Sequence, residues 1–246
     1  MHKHAIVATV RFLIFLTVLA MTTAAFSCAA RSTDQNTAHT QGNTESKPFT
    51  VILDAGHGGE DGGAVSSSGI FEKDLNLAVA QKLKTLFEAN GVNVIMTRET
   101  DTLLYDKNVD YKGRKKALDL AARLKIGESN PDSIFVSIHM NAYPLPQYHG
   151  LQVWYSLNHP QSLLLAKNIQ KTVCETLQPQ NERTVKPATS SIYLLHHLST
   201  PSVLVECGFL SNDTEAERLK DPDYQSRLAV AIFLAIMECQ TTTENE

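Results

Sequence analysis

Two patterns of hydrophobic and polar positions alternate along the chain after residue 48. Short, nearly continuous apolar runs predict buried strands, since strands between covering helices are apolar on both faces. Longer stretches in which apolar residues recur every three or four positions predict amphipathic helices. The predicted strands cover residues 49–54, 92–97, 133–139, 150–155 and 203–206, and the predicted helices cover residues 73–90, 111–126, 161–177 and 224–238.

The helical spacing also predicts which side chains face the core. Gly91 follows the first helix and favours its end there, because glycine is common just past a helix C-terminus. The residues predicted to face inward are Leu75, Val79, Leu83 and Leu86 in the first helix, Leu118, Ala121, Ala122 and Leu124 in the second, and Leu164, Ile169 and Val173 in the third.

This order of elements predicts an α/β fold. Apolar strands separated by amphipathic helices indicate a mostly parallel central sheet with helices on both faces, which is a three-layer α/β/α sandwich. Ligands of such sheets bind beyond the carboxyl ends of the strands. Polar residues lie at the ends of three strands: Asp54 and His57 after the first, His139 and Asn141 at the third, and Glu206 at the fifth. We therefore expect these side chains to meet at one edge of the sheet.

The N-terminal residues 1–30 have the pattern of a signal peptide or an N-terminal membrane anchor. His2, Lys3, His4 and Arg11 precede an uncharged apolar run over residues 12–30. The run is near the lower limit of about 17 residues for a spanning helix, so cleavage and retention both stay open. A lipoprotein site at Cys28 is a weaker alternative. Positive charge before the run predicts that the rest of the chain lies outside the cytoplasmic membrane.

The remaining chain is predicted to be one folded domain with polar extensions. Residues 31–47 carry no aliphatic stripe and predict a flexible stalk. The domain covers residues 48–240, and residues 241–246 form a polar tail. A net charge of −4 without a long basic run argues against nucleic acid as a partner. Cys174, Cys207 and Cys239 form no CxxC pair, which predicts buried free thiols rather than a thiolate zinc site.

The stretch "VILDAGHGGEDGGAV" over residues 51–65 allows two interpretations, a phosphate-binding loop or one corner of a metal site. A dinucleotide loop requires G-x-G-x-x-G directly between a strand and a helix. Here Glu60 and Asp61 follow the glycines and would repel a pyrophosphate, and the helix begins about ten residues later. No G-K-[ST] sequence is present either, so the phosphate interpretation is disfavoured.

His57, Glu72 and His139 are the candidate metal ligands. Zinc binds histidine nitrogen and carboxylate oxygen, and a catalytic zinc keeps three protein ligands with one open position. Glu72 begins the helix after the glycine-rich loop, from which it can point back at the loop, and Asn76 lies one turn further on to brace it. Each residue alone has a common structural explanation, such as a first-turn acid at the positive helix end. Their convergence at one sheet edge favours a metal site.

Other polar residues have simpler expected roles. Glu60 and Asp61 are expected to be solvated loop acids, while Arg98 and Asp101 are expected to tie a loop together. No G-x-S-x-G sequence supports Ser66–Ser68 as nucleophiles. Four histidines do not follow strands and are expected to lie outside the site: His149, His159, His196 and His197.

Five motifs resemble, in order, the zinc-dependent N-acetylmuramoyl-L-alanine amidases of the type 3 family: "DAGHGG", "EKDLNLAVAQKL", "TRETD", "SIHMNA" and "VECGFLSN". The resemblance covers residues 49–238. It implies that His57, Glu72 and His139 bind Zn²⁺ and that Glu206 is catalytic, in a three-layer α/β/α fold. The family more often has proline where this chain has Ala55, a position that should not touch the metal.

The resemblance implies an enzyme that hydrolyses the amide between N-acetylmuramic acid and L-alanine in peptidoglycan, whose partners are glycan strands with stem peptides. Glu206 ends a buried strand, where a carboxylate can take a proton from water and pass it to the leaving nitrogen. Arg183 is a further candidate for contact with substrate carboxylates.

The plan of a short leader, a stalk and a catalytic domain resembles the germination-specific branch, which acts on spore cortex and supports formation of muramic lactam. The resemblance implies a location at the outer face of the cytoplasmic membrane or in the cell wall, and the forespore envelope is one such location. Targeting then depends on the membrane segment or on an activating protein partner of unknown identity. Another exported zinc hydrolase of the cell wall, a carboxypeptidase or deacetylase, is the enzymatic alternative. A non-catalytic wall-binding protein is the other alternative, although all four expected site residues are present.

Overall fold

The computed structural model describes residues 49–106, 108 and 110–243. The predicted leader and stalk lie outside the described residues, as do residues 244–246 of the predicted tail. The described strands are β1 (Thr50–Ala55), β2 (Asn93–Met96), β3 (Ser133–Asn141), β4 (Gln152–Tyr155), β5 (Lys186–Pro187) and β6 (Ser202–Phe209). The described helices are α1 (Glu72–Ala89), α2 (Lys115–Glu128), α3 (Gln161–Thr176), α4 (Tyr193–His197), α5 (Asp213–Lys220) and α6 (Pro222–Thr243).

All predicted strands and helices are present, with ends shifted by up to five residues. The short elements β5, α4 and α5 were not predicted, because two to eight residues carry too little periodic pattern. No helix in the described ranges is long and apolar enough to cross a membrane.

The strands form one mixed sheet in the order β2-β1-β3-β6-β4-β5. β1 pairs in parallel with β2 and β3, and β3 pairs in parallel with β6. β4 runs antiparallel to β6, and β5 is parallel to β4. The predicted mostly parallel sheet is therefore confirmed. Because β1, β3 and β6 are neighbours with one direction, their carboxyl ends meet at the same edge.

Helices cover both faces of the sheet, which confirms the three-layer arrangement. The larger core lies on the face that carries Val51, Val136 and Val205, and it includes buried residues of α1, α3 and α6. On the opposite face, Ile52 and Phe135 form a smaller cluster with apolar residues of α2 and α4. The polar side chains at the strand ends project from the face of the sheet that carries this smaller cluster. Helices α2 and α4 therefore form part of the wall of the site.

Two predictions of core-facing residues were wrong. Leu164 is 39% exposed, and the adjacent Leu165 is buried in its place. In α2, Ala121 is exposed, and the most deeply buried side chains belong to Asp119 and Arg123. The buried side of α2 is thus charged at its centre, which a search for apolar periodicity cannot detect. Cys207 and Cys239 are buried as predicted, whereas Cys174 is partly exposed.

Candidate active site

The three predicted ligands converge at the carboxyl edge of the sheet. His57 lies in the loop after β1, Glu72 is the first residue of α1, and His139 is near the end of β3. One donor atom from each lies within 4.8 Å of the other two. Glu72 is in the middle, with Oε1 2.8 Å from His139 Nδ1 and Oε2 3.2 Å from His57 Nε2. The arrangement presents two nitrogens and a carboxylate to one point.

Glu72 is held in place from three sides. Its Oε2 accepts a hydrogen bond from the amide of Ala64, and its Oε1 accepts one from the amide of Met140. The Asn76 side chain donates to Oε1 at 3.3 Å, which confirms the predicted brace one helical turn away. Burial alone would raise the pKa of Glu72, but the hydrogen bonds from His139 and His57 outweigh burial and hold the pKa well below its usual range. Glu72 is therefore a fixed carboxylate.

Asp61 lies against the other ring nitrogen of His57. Its Oδ2 lies 2.9 Å from His57 Nδ1, and its side chain is only 27% exposed. The prediction of a solvated acid was wrong for Asp61 and right for Glu60, which is exposed and pairs with Lys115. Burial lowers the pKa of His57, but its interactions with Glu72 and Asp61 raise it above the ordinary value. A carboxylate on the second nitrogen fixes ring orientation in metal-binding histidines, so Asp61 suits a metal site.

Two glycines are required because the ligand side chains lie directly against them. A Cβ atom on Gly56 would lie 2.2 Å from Nε2 of His139. A Cβ on Gly63 would lie 2.5 Å from Oε2 of Glu72 and 2.7 Å from the ring of His57. The open loop of the glycine-rich stretch thus makes room for the ligands themselves.

Arg123 holds the backbone of the His57 loop. Its Nη1 donates to the carbonyl of Ala55 at 2.8 Å, and its Nη2 donates to that of His57 at 2.7 Å. The same guanidinium pairs with Asp54 at 2.5 Å and with Asp119 at 2.7 Å. Burial would raise the pKa of Asp54, but Arg123 and the neighbouring hydroxyl groups lower it below its ordinary value. Sequence reasoning did not find this role, because Arg123 and Asp54 are 69 positions apart.

Arg98 supports the same loop from the other side. It donates to the carbonyls of Ala55 at 2.9 Å and Gly56 at 3.0 Å, and also to that of Lys73 at 2.7 Å. Asp101 accepts hydrogen bonds from the amide of Gly59 and from the Lys73 ammonium. The prediction that Arg98 and Asp101 tie a loop together is confirmed. Three consecutive carbonyls, of residues 55–57, are thus bound by two arginines.

Glu206 faces the ligand group from the neighbouring strand. It is paired in register with His139 across β3 and β6. Its Oε2 is shielded from solvent and has no hydrogen-bond partner within the described ranges. Burial raises the pKa of Glu206 to about 7, with the negative charge of Glu72 adding to the effect and the two histidines opposing it. A carboxyl group with a pKa near neutrality can both take and give a proton.

The site opens into a cavity of about 230 Å³. His57, His139 and Glu206 line its polar side, while Leu120 and Leu194 belong to an apolar wall from α2 and α4. The arrangement combines three side chains that could hold a metal ion, a buried carboxyl group and space for a small molecule. None of the four histidines predicted to lie outside the site lines this cavity: His149, His159, His196 and His197.

Comparisons with known proteins agree with this geometry. The sequence model of a family described as N-acetylmuramoyl-L-alanine amidase matches residues 51–238. The germination-specific N-acetylmuramoyl-L-alanine amidase of Bacillus subtilis is 38% identical over 189 residues, which are 76% of this chain and 78% of that protein.

Two solved structures have the same fold and substantial sequence identity. The CwlD amidase of Clostridioides difficile, solved in complex with the GerS lipoprotein, is 41% identical with a TM-score of 0.75. The alignment covers 79% of this chain and 99% of that one. The amidase AmiC2 of Nostoc punctiforme is 30% identical with a TM-score of 0.66, and the alignment covers 80% of this chain and 99% of that one.

Proposed function

We propose that this chain is a zinc enzyme. It belongs to the N-acetylmuramoyl-L-alanine amidase family and hydrolyses the amide bond between N-acetylmuramic acid and L-alanine in peptidoglycan. The observation that carries this proposal is the convergence of His57, Glu72 and His139 within 4.8 Å. Two imidazole nitrogens and one carboxylate form a donor set that zinc prefers, and three protein ligands leave a position open. Asp61 behind His57 and the bonds that fix Glu72 supply the support such ligands need.

Each residue then has a defined role in the reaction. Zinc held by His57, Glu72 and His139 would supply a Lewis acid able to polarise the scissile carbonyl and lower the pKa of water. Glu206 accepts the proton that water loses as its oxygen attacks the lactyl carbonyl carbon. When the C–N bond breaks, Glu206 gives that proton to the nitrogen of L-alanine, which leaves as an amine. Oε2 of Glu206 has no hydrogen-bond partner among the residues that the structure describes, and its carboxyl has a pKa of about 7, which suits both transfers.

Variants of the ligands and of the proton carrier test this proposal separately. Zinc content measured by elemental analysis should fall sharply in His57→Ala, Glu72→Ala and His139→Ala, whereas the control His196→Ala should retain the metal. Glu206→Gln should retain zinc and bind substrate, but muropeptide release should fall by about 10²–10⁴-fold. Stoichiometric zinc in His139→Ala would refute the ligand set. Near-normal release by stable, zinc-loaded Glu206→Gln would refute the proton carrier.

We also propose a role in the spore cortex, with export directed by residues 1–30. The 38% identity to a germination-specific amidase supports this role. The complex of CwlD with the GerS lipoprotein supports a protein partner for this chain as well.

Loss of the gene should remove muramic lactam from cortex digests analysed by mass spectrometry, and normal lactam would contradict the assignment. In non-sporulating cells made to express the chain, protease treatment of intact cells should reach the catalytic domain while a cytoplasmic marker stays protected.

A further inference from the structure

A second groove, of about 380 Å³, lies beside the active-site cavity. Its walls are aromatic, with Tyr143 and Trp154 among the lining side chains, and it contains two cations, Arg183 and Lys186. None of these four residues lines the first cavity. The groove is therefore separate from the first cavity. The roles proposed for the metal ligands and for Glu206 do not account for its aromatic and cationic side chains.

The strand register places this groove next to the proton carrier. Gln152 lines the groove and is the direct partner of Glu206 across the antiparallel pair β4 and β6. Directly opposite residues of neighbouring strands project from the same face of a sheet. Asn141 also lines the groove and follows the ligand His139 by two positions on β3. A substrate held at Glu206 therefore needs to extend by only a few atoms to enter the groove.

The two cations lie over aromatic rings, and among the described residues neither has an acidic partner. The guanidinium carbon of Arg183 is 4.4 Å from the centre of the Phe209 ring, and Nη1 donates to Gln152 at 3.3 Å. The Lys186 ammonium is 5.4 Å from the centre of the Trp154 ring. In the part of the chain that the structure describes, neither forms an ion pair with a carboxylate. The groove thus has unneutralised positive charge in a chain of net charge −4.

We propose that this groove binds a free carboxylate of the peptidoglycan stem peptide, the α-carboxylate of its D-glutamate, and so selects the peptide side of the substrate. The inference rests on the proposed function, since Glu206 fixes where the scissile bond lies. A guanidinium offers paired N–H donors that match a carboxylate, and an ammonium beside it adds charge. The faces of Phe209 and Trp154 are partly covered by these cations, which makes them poor platforms for stacking a neutral sugar.

Trp154 provides a direct readout, because it is the single tryptophan of the chain. The full chain is titrated with the dipeptide L-alanyl-D-glutamate and with L-alanyl-D-isoglutamine. In the second peptide an amide replaces the α-carboxylate of D-glutamate. Trp154 emission should change saturably with the first peptide, and the isoglutamine peptide should bind at least tenfold more weakly. The double variant Arg183→Gln with Lys186→Gln should lose at least tenfold in affinity.

A matched control is available on α6. Arg227 is exposed and also lies over an aromatic ring, 5.8 Å from the centre of the Tyr224 ring. Arg227→Gln should bind the acidic peptide like the unmodified chain. In turnover assays on muropeptides, the double variant should raise KM about tenfold and leave kcat unchanged, whereas a general folding defect would lower kcat and the thermal midpoint. Arg183→Lys keeps the positive charge and should bind the acidic peptide more tightly than Arg183→Gln does.

Several outcomes would overturn the proposal. Equal binding of both peptides would exclude recognition of the α-carboxylate of D-glutamate, which is the group by which the two peptides differ. A response of Trp154 to a reduced N-acetylglucosaminyl-N-acetylmuramic acid disaccharide, without a response to the peptide, would make the groove a glycan site. Equal competition by acetate or inorganic phosphate would show unspecific anion binding. The titration needs no turnover and is run with and without bound zinc, so a failure of the proposed zinc mechanism does not affect its result.

Discussion

The guanidinium group of Arg123 donates a hydrogen bond of 2.7 Å to the main-chain carbonyl of His57. The backbone of His57 has a φ of 60°, in the left-handed region that non-glycine residues seldom adopt. A conformation of this kind persists only where the surroundings enforce it. Arg123 comes from α2, on the face that carries the site, and it also pairs with Asp54 at the end of β1. A buried ion pair thus fixes both the strand end and the candidate ligand that follows it.

The first prediction concerns this ion pair. Arg123→Gln should lower the free energy of unfolding by about 3–5 kcal/mol, because Asp54 then remains buried without its counter-charge. The measurement is urea unfolding of the metal-free protein, with the exposed Lys125→Gln on the same helix as control. The double variant Asp54→Asn with Arg123→Gln should recover part of the loss. Strictly additive effects of the two substitutions would show that the pair is not coupled.

The second prediction concerns the acid stability that Asp54 provides. Its pKa is lowered in the folded protein, so its stabilising effect is complete above the unfolded value of about 4 and is lost as the pH falls towards the folded pKa. Urea midpoints of the unmodified chain should therefore fall more steeply below pH 4 than those of Asp54→Asn with Arg123→Gln. Parallel curves for the two proteins would contradict the lowered pKa of Asp54.

The third prediction concerns Asp61 as the support of a metal ligand. Asp61→Ala frees Nδ1 of His57, so zinc affinity should fall by about 10–100-fold, as is usual when such supports are removed. Competition with a chromogenic chelator measures this affinity. Glu60→Ala is the matched control, because Glu60 is adjacent to Asp61 but exposed, and its carboxylate pairs with Lys115. If both variants bind zinc like the unmodified chain, Asp61 has no supporting role.

The sheet and the placement of the four site residues could be predicted, because they depend on strong local signals. Apolar runs identified the strands, and parallel strands end at a common edge, which brought His57, His139 and Glu206 together. Glu72 was found because it is the first residue of a helix after a glycine-rich loop. These inferences need only the order of elements and the direction of the strands.

The supporting residues could not be predicted, because their roles depend on tertiary contacts. Charged residues on a helix normally face water, and only the position of Asp54 shows why Arg123 is buried. Asp61 reaches His57 through a loop turn for which the sequence has no periodic signal. In the run of three leucines at residues 163–165, the rotation of α3 decides which one is buried, and this rotation is set by packing against α6.

The fourth prediction concerns how Glu206 lowers the free energy of unfolding of the metal-free protein at neutral and higher pH. Its folded pKa of about 7 lies above the unfolded value of about 4, so the folded state favours the protonated acid. Protonated Glu206 therefore costs the folded protein nothing below pH 4, and the free energy of unfolding falls as the pH rises from 4 to 7 and the buried group has to ionise. Glu206→Gln lacks this titration and should be more stable than the unmodified chain at pH 8, but not at pH 4. Equal urea midpoints of the metal-free proteins at pH 8 would exclude the raised pKa.

The last prediction separates steric support of the ligands from backbone strain. Gly63 and Gly69 both have left-handed φ values, of 67° and 81°. A Cβ atom on Gly63 would collide with Glu72 and His57, whereas one on Gly69 meets nothing within 4 Å. Both alanine variants should therefore lose about 1 kcal/mol or more through strain at the backbone, as is usual for alanine at positive φ.

Only Gly63→Ala should also displace the ligands. Its zinc affinity and muropeptide release should fall at least tenfold, while Gly69→Ala should keep both near the level of the unmodified chain. Zinc competition, release assays and urea unfolding on the two variants give the comparison. If both variants lose zinc equally, loop strain rather than the contact with Glu72 and His57 controls the site. If neither loses zinc, the close packing of Gly63 against the two ligands has no role in metal binding.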